Sequence, residues 1–148
     1  MTYTEFVEEC CTIRNNRMIR TELDRRLQVL NKLKYDTLVN ITDPAREHLQ
    51  RSITPDSKMI NTLSEYDRKR ERIEAIVDNL PAESKEVKEL IYSTLGLEPE
   101  LVRLYVIEAL PMKDIAKRLG YNPTYCYTKY KQGLKRIYRN YERRLQDG

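Results

Sequence analysis

"PMKDIAKRLGYNPTYCYTKYKQGLKRIY", residues Pro111 to Tyr138, carries the apolar spacing of helix, broken once in the middle by Gly120, Asn122 and Pro123. Ile115, Ala116 and Leu119 recur at helical steps and predict a short helix from about Met112 to Leu119. Gly120 supplies the left-handed conformation that a tight helix exit requires. Tyr121 is expected to place an aromatic ring under the turn. Asn122 suits the N-cap of a new helix, and Pro123 suits its first position. Cys126, Leu134 and Ile137 then resume a buried face. The break therefore reads as a corner between two helices. Ala116 must be small, because the second helix crosses it closely. Cys126 acts there as a small hydrophobe. Lys129 falls where another apolar residue would fit, and its stem can lie on the core with the ammonium outside. Together these positions spell a helix-turn-helix.

Charge follows the same segment. From Pro111 to Gly148 there are ten Lys and Arg side chains against three acids, a balance of +7. The whole chain of 148 residues carries +4, so Met1–Leu110 carries −3. A basic terminal quarter points to a polyanion partner.

Upstream, Phe6, Cys10 and Ile13, then Leu23, Leu27, Leu30, Leu38 and Ile41, step by threes and fours with no Pro or Gly between them. This predicts one helix from about Thr4 to Ile41, roughly 55 Å long at 1.5 Å per residue. So narrow a stripe needs a partner helix. The stretch Asn40–Ser57, with Asp43-Pro44 and Thr54-Pro55, reads as a connection, and Thr54 and Pro55 suit the start of the next helix. Met59, Leu63, Tyr66, Ile73, Val77 and Leu80 form a heptad seam on that helix, with Arg70 at the skipped position. A short amphipathic helix through Val87, Leu90 and Ile91 follows Pro81 and ends near Gly96. A further helix starts with Glu98 as cap and Pro99 in its first turn, and buries Leu101, Leu104, Tyr105, Ile107 and Leu110. The expected fold is all-α: a long antiparallel helical hairpin over 1–80 with its loop at about 42–56, a connecting helix over 81–97, and a helix-turn-helix module over 98–148.

Several classes are set aside. No apolar run approaches the ~20 residues of a membrane span, and the acidic start "MTYTEFVEECC" lacks a signal-peptide core, which suggests a cytoplasmic protein. The three cysteines, Cys10, Cys11 and Cys126, suit neither a disulfide framework nor a metal grip. His48, the single histidine, reads as a surface residue. With no Gly-rich phosphate loop, nucleophile set or metal spacing, no enzyme, metal or cofactor is expected.

The region from about Glu98 to Tyr138, which contains "ELVRLYVIEALPMKDIAKRLGYNPTYCYTKYKQGLKRIY" (Glu100 to Tyr138), resembles region 4 of the sigma-70 family and related phage-encoded regulators. Its landmarks are "RLYVIEAL", "KDIAKRLG" and "GLKRI". The charged hairpin before it resembles small phage or prophage transcriptional regulators of the late-gene activator type. No counterpart of the other promoter-binding region of sigma factors is found. The cap is Asn122-Pro123 where the family commonly has Ser and an acid. The resemblance implies a sequence-specific DNA-binding regulator of transcription, with double-stranded DNA and RNA polymerase as partners.

In such a module the second helix lies in the major groove. Asn122, Thr124, Tyr125, Tyr127, Thr128 and Lys131 then reach base edges or nearby phosphates. Lys113, Lys117, Lys135, Arg136 and Arg139 are assigned to phosphates. Tyr125, Tyr130, Tyr138 and Tyr141 divide between DNA contact and packing. The hairpin seam offers a homodimer interface. Two other readings are a small terminase-like subunit of phage DNA packaging, and a protein-interaction adaptor or inhibitor whose basic helix docks on an acidic protein.

Overall fold

The structure, a computed structural model, describes residues 1–42 and 57–148, with side chains described outside 40–59. His48, the Asp43-Pro44 pair, Thr54 and Pro55 lie outside the described residues. All described secondary structure is helical: α1 (Tyr3–Thr42), α2 (Ser57–Asp78), α3 (Lys85–Ser93), α4 (Leu97–Val102) running into a π turn (Arg103–Ile107), α5 (Met112–Leu119) and α6 (Pro123–Asp147). No helix among the described residues is long and apolar enough to cross a membrane.

The chain divides into two compact units, Met1–Met18 with Pro81–Gly148, and Ile19–Leu80. The sequence reading grouped 1–80 together because one stripe runs along α1. In the structure the first third of that stripe belongs elsewhere: Phe6, Cys10 and Ile13 are buried in the same cluster as Val87, Leu90, Ile91, Val106 and Ile137. An aromatic group secures the start of α1. The Tyr3 ring stands edge-on to Tyr138 with centroids 5.5 Å apart, and Phe6 is 6.0 Å from Tyr138. The Tyr138 hydroxyl donates to the Met1 carbonyl at 2.9 Å.

Two polar side chains of α1 complete the attachment. Asn16, buried to 2% exposure, donates to the Pro81 carbonyl at 2.8 Å and to Glu83 at 3.2 Å. Burial alone would raise the Glu83 carboxyl. The bonds from Lys88 and Asn16 outweigh that and hold it below its usual range. Arg14 addresses the end of the π turn. There Glu108 N–H donates to the Arg103 carbonyl and Leu110 N–H to the Leu104 carbonyl, both at 3.2 Å, and Ala109 takes a left-handed φ of 53°. A non-glycine residue in that region costs on the order of 1–2 kcal/mol. The Arg14 guanidinium donates to the carbonyls of Tyr105 and Leu110 and lies 3.7 Å from the centroid of the Tyr105 ring. Charge-assisted bonds of this kind are worth about 1.5–3 kcal/mol, enough to offset the strain.

The later helices follow their sequence signals with two shifts: Tyr105 and Leu110, expected on a buried face, are half-buried while Val102 and Val106 are buried, and one cap moves. Ser84 caps α3 by accepting from Val87 N–H at 3.3 Å, and Val87, Leu90 and Ile91 are its buried residues. Glu98 was expected to cap the next helix. Gly96 takes that place instead, at φ 134°, and Glu98 sits inside the first turn. That φ is open to glycine and strained for any residue with a Cβ, and the Arg136 guanidinium lies over the space beside it. α6 also crosses α4 at Gly133, where an added Cβ would meet the Glu98 carbonyl group and come 2.8 Å from a Val102 methyl.

In the second unit, Leu23 and Ile73 are buried, while Leu27, Leu30, Leu63, Tyr66, Val77 and Leu80 are half-buried. Lys34 Nζ stands 2.6 Å from Asp67, and its hydrogen bond lowers that carboxyl below its ordinary value. Val29, Tyr35, Ile60 and Ile76 are exposed.

Two glycine substitutions separate backbone strain from helix collision. At Gly133, alanine gains helix propensity of about 0.5–1 kcal/mol, but its methyl strikes backbone that cannot swing aside. Gly133→Ala should therefore destabilise by about 3 kcal/mol. Gly120 has no atom within 4 Å of an added Cβ. Gly120→Ala should cost only the left-handed strain, about 1–2 kcal/mol. Urea unfolding of both variants checks this, and a stabilised Gly133→Ala would show that α4 and α6 do not meet there.

Candidate nucleic-acid interface

The corner between α5 and α6 forms as its local sequence dictates. Gly120 is left-handed at φ 75°, ψ 29°, and its N–H and that of Tyr121 both donate to the Ala116 carbonyl. Asn122 is extended and accepts from Thr124 N–H at 2.7 Å, with Pro123 opening α6. Behind the corner Ala116, 2% exposed, shares a cluster with Leu101, Leu104, Ile115 and Cys126. Lys129, where an apolar side chain was missing from the pattern, is half-buried, with Nζ 5.4 Å from the centre of the Tyr125 ring.

α6 presents two faces. Cys126, Tyr130, Gly133, Leu134, Ile137 and Tyr141 are buried. Thr124, Thr128, Lys131, Lys135 and Arg139 are all exposed, and their steps of three and four align them as one stripe. The Thr128 hydroxyl donates to the Thr124 carbonyl at 3.1 Å and keeps its capacity to accept. Asn122 is exposed, but its side-chain oxygen is engaged in the cap. Lys113 and Lys117 stand exposed one turn apart on α5. Between Pro111 and Tyr141 the only carboxylate is Asp114.

The remaining residues divide. Arg136 is half occupied, its guanidinium 3.2 Å from Glu98. It differs in this from Lys135 and Arg139, which make no ion pair among the described residues. Tyr125 and Tyr127 are exposed, whereas Tyr130 and Tyr141 are buried and Tyr138 is half-buried. Tyr127 carries Lys131 over its ring at 4.5 Å, a contact worth about 0.5–1 kcal/mol at an exposed site. Tyr121 does not lie under the turn. It is 44% exposed, with its ring centroid 5.1 Å from that of Tyr125, so the two form an outward aromatic pair at the start of α6. The Tyr121–Tyr125, Tyr125–Lys129 and Tyr127–Lys131 pairs are each four residues apart. That spacing was the sequence signal for them.

Burial raises the Tyr130 hydroxyl and the Cys126 thiol above their ordinary values. It pushes the Cys10 thiol up to about 12, with Cys11 and Glu9 adding to the effect. None of these groups is poised for chemistry near neutral pH. Among protein-family models, curated proteins and solved structures, none matches this chain.

Cys11 is exposed, while Cys10 and Cys126 are buried. In native protein at pH 8, iodoacetamide should modify Cys11 within minutes and spare the other two until denaturant is added. Mass spectrometry of timed samples reads this directly. Rapid modification of Cys10 would show that the first turns of α1 leave the C-terminal helices.

Proposed function

We propose that this chain is a sequence-specific DNA-binding regulator of transcription of the phage late-gene activator type, acting at a promoter with RNA polymerase. The observation that carries the reading is the outward stripe of α6, Thr124, Thr128, Lys131, Lys135 and Arg139, placed directly after a capped corner. α5, the turn and α6 are read as a helix-turn-helix, with α6 in the major groove. Thr124, Thr128 and Tyr127 then face base edges, where hydroxyls accept from or donate to bases and a ring can meet a thymine methyl. Lys131 lies where the stripe passes from base edges to backbone. Lys135, Arg139, Lys113 and Lys117 neutralise phosphates, which sets affinity and register without reading sequence.

The unit 19–80 enters the proposal as an antiparallel helical hairpin. Lys34 on Asp67, and the groove that Arg25 and Leu30 share with Arg72 and Ile73, are the contacts that support it. Its half-covered seam is assigned to a second copy. A dimer places two reading helices on half-sites about 34 Å apart.

Each neutralised phosphate contributes about −0.9 to the slope of log K against log salt. Changing Lys135 and Arg139 together to Ala should weaken binding to every duplex and flatten that slope by about 2. Arg136→Ala should flatten it by clearly less than one phosphate contact, because its guanidinium serves Glu98. Fluorescence anisotropy on a labelled promoter duplex across a salt series measures all three. Absence of binding to any duplex at low salt would overturn the reading.

A further inference from the structure

A surface groove of about 540 Å³ runs between the first turns of α1 and the flank of α6, beside the proposed DNA stripe. We propose that this groove is a docking site for an acidic amphipathic helix of a partner protein. The proposal goes beyond DNA binding and stands without it.

The floor is apolar, with Val7, Cys10, Tyr105, Tyr130 and Leu134 contributing, while Arg14, Lys131 and Lys135 bring positive charge. No carboxylate lines it. Arg14 is engaged with backbone carbonyls. Lys131 and Lys135 have no ion-pair partner among the described residues. An apolar channel edged by uncompensated ammonium groups is complementary to a ridge of apolar side chains flanked by Glu or Asp.

Length selects a helix over a small acid. On α1 the lining extends from Tyr3 to Asn15, about 18 Å at 1.5 Å per residue. On α6 it extends from Tyr127 to Lys135, about 12 Å. These are two helical stripes side by side, the surface against which a third helix sets its own ridge. Nucleic acid fits the floor poorly, since a sugar-phosphate chain has no apolar ridge to bury there.

The test uses the intact chain and a fluorescein-labelled, lactam-stapled peptide helix of about four turns. One version carries a leucine ridge flanked by Glu, the other the same ridge flanked by Lys. The Glu-flanked peptide should bind and the Lys-flanked one should not. On the Lys131→Glu, Lys135→Glu double variant the preference should invert, with the Glu-flanked peptide weakened at least about tenfold. Both substituted positions are exposed, and the inversion itself reports a folded protein. Bound Glu-flanked peptide should also slow alkylation of Cys11, which lines the groove. No binding, equal binding of the two peptides, or binding without Cys11 protection would each overturn the proposal. The assay contains no DNA, so its outcome is separate from that of the salt titration.

Discussion

The close approach of α6 to α4 at Gly133 is the constraint on which the C-terminal unit depends. With hydrogen in place of a side chain, α6 lies against the Glu98 carbonyl and the Val102 methyl. That contact fixes the rotation of α6. Cys126 is thereby carried to Ala116 and Leu101, while Leu134 and Ile137 join the cluster shared with α1 and α3. Arg136 braces the same crossing from Glu98 and fills the space over Gly96. Any larger residue at 133 would shift every one of these contacts. It would also turn the outward stripe of Thr124, Thr128 and Lys135.

The first turns of α1 are integral to this unit. Phe6 and Ile13 are fully buried and Cys10 nearly so. Each large apolar side chain removed from water stabilises by about 1.5–3 kcal/mol. Two or three of them approach the net stability of a whole domain, about 5–15 kcal/mol. Arg14 and Asn16 add specificity: Arg14 meets the carbonyls of Tyr105 and Leu110, and Asn16 meets the Pro81 carbonyl and the Glu83 carboxylate. Loss of residues 1–18 would therefore uncover a core and leave the Tyr105 and Leu110 carbonyls without their cation.

What the sequence revealed tracks how local each signal is. The corner was legible because Gly120, Asn122 and Pro123 act on neighbours within one turn. The same holds for the buried face of α3 and for Cys126, Leu134 and Ile137 on α6, whereas the burial of Tyr130, Gly133 and Tyr141 depends on the helices that α6 crosses. The partner of the Phe6–Cys10–Ile13 stripe was not legible. Periodicity reveals that a face is covered and is silent on what covers it, so the stripe was read as one seam with Leu23 and Leu27. Gly96 takes the cap in place of Glu98 because the chain enters α4 at a φ of 134°, which suits glycine; a Pro99 in the first turn does not by itself say whether the cap lies one residue before it or three. Ala109 and the π turn gave no sequence sign, because the compensating Arg14 lies on another helix. Among the candidate site residues, exposure of Thr124, Thr128, Lys131, Lys135 and Arg139 followed from their phase against Cys126. The engagement of Arg136 with Glu98 did not, since it depends on the helix crossing.

The functional proposal joins this geometry to charge. A helix rigidly held on one face, capped at its start and basic on the other suits a major groove, and threonines beside lysines suit reading rather than mere attraction. Sequence preference is the property that separates this account from non-specific attachment by a basic surface. Selection of bound duplexes from a random pool, with the intact protein at physiological salt, measures it most directly. The account predicts enrichment of a defined motif whose preferred bases change in the Thr124→Ala and Thr128→Ala variants. Enrichment of no motif, or of one unchanged in both variants, would contradict the assignment of α6 as the reading helix.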